Sequence, residues 1–130
     1  MYLLDTDTII EYLRGNKKVI DKLISLSYDE LYTTTISLAE LFYGIYQSSK
    51  KEKNTQKLAD FLSNVAILNI DIDSCKLFGK LKSELKNKGE LIDNFDLFIA
   101  CICIINNLVL ITNNDKHFKK INNLKILKIT

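Results

Sequence analysis

Short apolar runs alternate along the chain with longer stretches in which apolar positions recur every three or four residues. Tyr2 to Leu4, Leu31 to Thr35, Val65 to Ile70, Leu108 to Thr112 and Lys125 to Ile129 are apolar or β-branched runs of strand length. Helical patterns occupy Thr8 to Leu13, Lys17 to Leu26, Ser37 to Tyr46, Glu52 to Leu62, Ser74 to Lys86 and Asn94 to Asn106. In the fifth of these, Leu77, Phe78, Leu81 and Leu85 form one stripe and the lysines occupy most of the remaining surface. Strands alternating with helices predict an α/β fold, a central parallel sheet of about five strands flanked by helices on both sides. In such folds ligands bind outside the carboxyl ends of the strands, so chemistry is to be sought there.

Composition adds limits. The 130 residues contain no proline, four glycines, no low-complexity segment and no internal repeat, which predicts one continuous domain over residues 1–130. Cys75, Cys101 and Cys103 are an odd number with no C-x-x-C pair, which argues for a reducing, cytoplasmic compartment and against a disulfide framework or zinc ribbon. Met1 to Leu4 is too short for a signal peptide and is interrupted by Asp5 and Asp7. The longest apolar stretch, Leu97 to Ile105, falls well short of the roughly 18 residues that cross a bilayer, so no membrane partner is expected. A net charge of +2 does not by itself predict nucleic-acid binding. Two local basic faces are present, Lys76, Lys80, Lys82, Lys86 and Lys88 against Glu84, and Lys50 to Lys57 against Glu52. A solvated lysine-rich helix surface and a phosphate-tracking groove both account for them.

The acidic residues are more informative. Asp5 terminates the first strand, at the carboxyl edge of the sheet. Either Thr6 or Asp7 can cap the helix that begins near Thr8, which leaves Asp5 ahead of the cap and without a capping role. Glu40 lies in Ser37-Leu38-Ala39-Glu40-Leu41-Phe42-Tyr43-Gly44. There Leu38, Leu41, Phe42 and Ile45 make the apolar stripe, and Glu40 falls nearly opposite it, towards solvent. Ser37 and Glu40 also fit a capping box. Asp93 and Asp96 precede the most apolar helix, where they can serve as N-cap and N3 residues. Because that helix is apolar on every face, its burial would carry Asp96 to the interior edge, where an unpaired carboxylate is costly without a cation. Together these carboxylates suggest one cluster of hard oxygen ligands suited to Mg²⁺ or Mn²⁺, able to activate a water against a phosphodiester. His117, among Lys116, Lys119 and Lys120, reads as an exposed surface residue, and Cys101 and Cys103 as small core residues.

At these residues the chain resembles the PIN-domain proteins, and specifically VapC-type toxin ribonucleases of toxin–antitoxin pairs. The resemblance rests on Met1-Tyr2-Leu3-Leu4-Asp5-Thr6-Asp7, Ile36 to Gly44, Asp96-Leu97-Phe98-Ile99-Ala100 and Leu110-Ile111-Thr112-Asn113-Asn114, in that order and spacing. It implies a single PIN-like ribonuclease domain with Asp5, Glu40 and Asp96 as the catalytic acids. Asp5 and Asp96 would be the foremost Mg²⁺ ligands, joined by Glu40, and Asp93 would be auxiliary. Thr6, Asp7 and Thr112 would be supporting residues. Two positions depart from the family pattern: residue 7, often asparagine, is aspartate here, and the family's fourth acid falls at Asn114 or at Asp115. The resemblance further implies hydrolysis of RNA phosphodiesters, with tRNA or ribosomal RNA as substrate, a cognate antitoxin laid across the acidic cleft, and a homodimer.

Two other readings compete. Tyr2-Leu3-Leu4-Asp5-Thr6-Asp7-Thr8 is similar to the nucleophile motif of haloacid-dehalogenase-like phosphatases, but too little sequence follows Thr112 for their later lysine and acidic pair, and Glu40 and Asp96 would have no role. The ambiguous fourth acid also permits an RNA-binding or partner-binding domain with a degenerate site.

Overall fold

The computed structural model describes residues 1–26 and 30–129. Its elements run β1 (Tyr2–Leu4), α1 (Thr6–Leu13), α2 (Lys17–Ser25), β2 (Leu31–Thr34), α3 (Thr35–Gln47), α4 (Lys51–Leu62), β3 (Ala66–Leu68), α5 (Ile72–Asn87), α6 (Asn94–Ile105), β4 (Val109–Ile111), α7 (Asp115–Phe118) and β5 (Ile126–Leu127). The five strands form one parallel sheet in the order β3-β2-β1-β4-β5, as the alternation predicts.

The strand β1 lies at the centre, with Tyr2 beside both Leu31 and Val109, and Leu4 beside Ile111. Successive side chains of a strand point to opposite faces, so Leu3 and Leu4 enter two different cores. Leu3 and Leu110 pack with Leu85 of α5, with Leu97, Ile99 and Ile102 of α6, and with Phe118 of α7. Leu4 and Ile111 pack on the other face with Ile9, Leu23, Leu41 and Leu58 of α1 to α4. Burial on both faces is why these strands read as unbroken apolar runs. Cys101 and Cys103 lie in the first core, and burial pushes each thiol up to about 12, so both are inert packing residues. Among the described residues no helix is long and apolar enough to cross a membrane.

Two strand-to-helix junctions are tighter than the pattern predicts, and their cause is local. Asp5 is itself the N-cap of α1, its side chain accepting from the Thr8 N–H, so α1 starts at Thr6 and neither Thr6 nor Asp7 is the cap. Thr34 likewise caps α3 by accepting from the Ser37 N–H at 3.0 Å, which places Ser37 inside the helix and removes the expected Ser37–Glu40 capping box. The four-residue α7 has no counterpart in the predicted pattern. It is too short to show a helical period.

Candidate active site

The carboxyl ends of β1 and β4, the first turn of α1, the middle of α3 and the first turn of α6 meet at one end of the sheet. A cavity of about 260 Å³ opens there, lined by Asp5, Thr6, Asp7, Glu40, Asp93, Asp96 and His117.

Asp5 is 3% exposed. Its Oδ1 accepts from the Thr8 N–H at 2.9 Å, and its Oδ2 accepts from the Thr112 hydroxyl at the end of β4. Thr112 in turn accepts from the Asn114 N–H at 2.9 Å, so the loop after β4 is tied to the carboxylate through one hydroxyl. Burial pushes the Asp5 carboxyl above its ordinary range against the hydrogen bonds from Thr112 and Thr8, and the charge of Asp7 pushes the same way.

Glu40 faces this cavity, not bulk solvent. Counting Leu38 and Phe42 into the apolar stripe displaced its centre. Phe42 is 40% exposed, and the buried line of α3 is Ser37, Leu41 and Ile45, with Glu40 at its edge towards α1. The Thr6 hydroxyl donates to Glu40 Oε1 at 2.6 Å, and the Ser37 hydroxyl lies 3.1 Å from the same Thr6 oxygen. Burial raises the Glu40 carboxyl, the Thr6 bond opposes the rise, and the charges of Asp96, Asp93 and Asp7 add to it.

Asp93 caps α6 through Oδ1, accepting from Phe95 and Asp96 N–H groups at 2.8 and 3.4 Å. Asp96 is half-buried at the start of the helix whose later residues fill the core. Burial raises its carboxyl, against the neighbouring His117 and together with the charges of Asp93 and Asp5.

His117 was missed by sequence reasoning. It is exposed, as expected, yet its Nδ1 stands 3.5 Å from Asp96 Oδ2 and 3.2 Å from Asn114 Nδ2. The available signal was Asn114 and His117 three apart on one turn beyond a strand's carboxyl end. Asp115 is not brought into the cluster: its carboxylate is held by Lys119 at 2.9 Å and Lys128 at 3.5 Å, which keep it below the usual carboxylate range. Asn114 lies closer to the acids, lining an adjoining cavity with Asp7.

Three carboxyls whose folded pKa lies above the unfolded value bind more protons in the folded than in the unfolded chain at intermediate pH. Stability then falls as pH rises through each raised pKa. The thermal midpoint of the metal-free protein is therefore expected to climb as pH drops from neutrality towards the ordinary carboxylate range near 3.8 to 4.5. Below that, the advantage of Asp71 and Asp115, whose pKa values are lowered, is lost instead. Thermal unfolding in EDTA across this range checks it; a midpoint that falls steadily from pH 7 to 5 contradicts the raised carboxyls.

The donor set is chemically suited to a hard divalent cation: carboxylate oxygens, with no lysine or arginine among the described residues of the cavity wall. Among the described residues no three acidic or histidine side chains form a ready-made cage.

Comparison with known proteins gives the chain its relatives. The family profile described as PIN domain matches residues 2–124. The chain is 37% identical over 126 residues to Ribonuclease VapC2 of Rickettsia felis, covering 95% of this chain and 94% of that protein. It is 29% identical to the tRNA(fMet)-specific endonuclease VapC of Salmonella typhimurium, covering 96% and 95%. Among solved structures, VapBC2 from Rickettsia felis bound to a promoter DNA fragment matches with a TM-score of 0.92 and 36% identity, over 98% of this chain and 97% of that one.

Proposed function

The chain belongs to the PIN-domain family, among the VapC ribonucleases, and from that premise we propose that it hydrolyses RNA phosphodiesters at the acidic cavity as the toxin of a toxin–antitoxin pair. The observation that carries this reading is the convergence of Asp5, Glu40, Asp93 and Asp96 on one cavity at the carboxyl edge of the central strand.

PIN-domain ribonucleases are metal-dependent, and Mg²⁺, with Mn²⁺ as a substitute, is the cation we assign. Asp5 and Asp96 would hold it, joined by Glu40. Bound there, the cation would polarise the scissile phosphate and lower the pKa of a water to generate the nucleophile. The chain's own residues prepare this. Thr112 and the Thr8 N–H fix both oxygens of Asp5, and Thr6 fixes Glu40. Asp93 fixes the first turn of α6, from which Asp96 projects. The raised carboxyls mark burial first and mutual repulsion second, both of which a bound cation would offset. Asp7 adds charge to the cavity, and of the two candidates for the family's fourth acid we favour Asn114, which lines an adjoining cavity with Asp7, over Asp115, whose carboxylate pairs with two lysines. The haloacid-dehalogenase-like alternative gives way to the family match over residues 2–124. A structured RNA such as tRNA is the substrate to try first, and the cognate antitoxin is the partner we assign to the acidic cleft.

The test is cleavage of total cellular RNA by the purified chain with Mg²⁺ or Mn²⁺, with EDTA, and with Asp96→Asn. Discrete fragments that disappear with chelator and with the variant are expected. RNA bound without metal-dependent cleavage would instead favour a degenerate binding domain.

A further inference from the structure

An RNA strand is a polyanion, and the acidic cavity repels it. Cations beside that cavity therefore decide how a strand is seated. Arg14 is the only arginine among 18 basic side chains. It is the C-cap of α1, where the negative end of the helix dipole favours a cation. Gly15 follows at φ +85°, a conformation that favours glycine, and Asn16 caps α2 by accepting from the Val19 N–H at 3.3 Å. The arginine thus rises from a turn fixed on both sides.

Arg14 lines two cavities, one of about 300 Å³ shared with Glu40 and one of about 570 Å³ shared with Asp7. Glu40 and Asp7 also line the acidic cavity, so Arg14 borders the space on both of its shoulders. Glu11, on the wall of the larger cavity, would be its natural ion-pair partner, but the Asn16 amide donates to Glu11 Oε2 at 2.7 Å. Among the described residues Arg14 makes no ion pair and its side chain no hydrogen bond. Lys57 lies on the wall of the smaller cavity, so positive charge continues beyond Arg14. Two cations on one cavity wall suit a chain of phosphates better than the single carboxylate of a protein ligand.

We propose that Arg14 is a phosphate clamp that seats single-stranded RNA beside the acidic cavity, forking two N–H donors onto a backbone phosphate that flanks the scissile one. The proposal rests on the ribonuclease reading and extends it to the strand's path. A guanidinium is the group for this, because its planar donors match two phosphate oxygens where lysine offers a point charge.

The experiment uses the full chain carrying Asp96→Asn, in EDTA, with a fluorescein-labelled single-stranded RNA of about 20 nucleotides, read by anisotropy between about 50 and 200 mM NaCl. Adding Arg14→Ala is expected to weaken binding about tenfold at the lowest salt and to flatten the slope of log K against log salt by about 0.7, one phosphate contact. Arg14→Lys should restore the slope and only part of the affinity. Affinity and slope unchanged by Arg14→Ala would overturn the proposal. So would unchanged RNA binding accompanied by lost binding of an octaglutamate peptide, which would assign the guanidinium to a protein partner. Metal-dependent cleavage by the unaltered chain is measured separately: its absence removes the ribonuclease reading, while the salt slope still decides the clamp. No RNA binding by the Asp96→Asn chain at the lowest salt overturns the clamp and leaves the ribonuclease reading to the cleavage assay.

Discussion

Asp5→Asn is expected to lower metal-dependent RNA cleavage by at least about 10²–10³-fold, as loss of a charge acting on the transition state does, while raising the thermal midpoint of the metal-free chain. The two effects have one cause. A carboxylate that is 3% exposed, with Asp7 close by, is unfavourable in the empty fold and favourable only when a cation shares the cavity. Asparagine keeps the acceptor that caps α1, since it is as good an N-cap as aspartate, and its amide can donate to Thr112 Oγ1. The gain should be on the order of 1 kcal/mol, a few degrees in midpoint for a domain of this size. Asp5→Ala should be equally inactive yet less stable than Asp5→Asn, because it also loses a cap worth about 1 kcal/mol. The parent alone should be stabilised by added Mg²⁺, by about 2.7 kcal/mol at one hundred times Kd. Cleavage assays and thermal unfolding with and without EDTA read all of this. An Asp5→Asn chain that still cleaves at the parental rate, or that responds to Mg²⁺ as the parent does, would remove Asp5 from the metal site.

This opposition of activity and stability explains which parts of the site were legible in the sequence. Asp5 stood out because a charge directly after Tyr2-Leu3-Leu4 breaks the demands of a doubly buried strand, and Asp96 stood out because it heads a helix with no polar face. Both are local violations of burial rules, and such violations are readable from one dimension. Glu40 was placed on the wrong side of α3 because periodicity gives a direction only relative to the assumed apolar stripe. Tertiary packing left Phe42 outside the core and drew in Ser37. The Thr6–Glu40 bond that orients the carboxylate joins residues 34 apart, and no local pattern encodes it. Arg14 and His117 carry the same lesson. Each is an unremarkable polar residue on its own element and acquires meaning only from the edge of the sheet that its element abuts.

The last of these elements leads to the largest expected loss of stability. Phe118→Ala should destabilise the chain by about 3–5 kcal/mol, the range for removing a fully buried phenylalanine, out of a total of about 5–15 kcal/mol for such a domain. Phe118 is 0% exposed and packs with Leu3, Leu110 and Ile121. A helix of four residues has no stability of its own, so α7 persists because this ring anchors it. The same turn carries His117 to within 3.5 Å of Asp96 and ends the loop that Thr112 holds through the Asn114 N–H. Core and site are therefore coupled through one side chain. Phe118→Leu should keep the fold at a smaller cost, and Lys116→Ala, exposed on the same turn, should cost within about 0.5 kcal/mol. Urea unfolding of the three variants measures these differences. A Phe118→Ala midpoint within about 1 kcal/mol of the parent would show that α7 is not held by its phenylalanine, and that the placement of His117 beside the acids has another support.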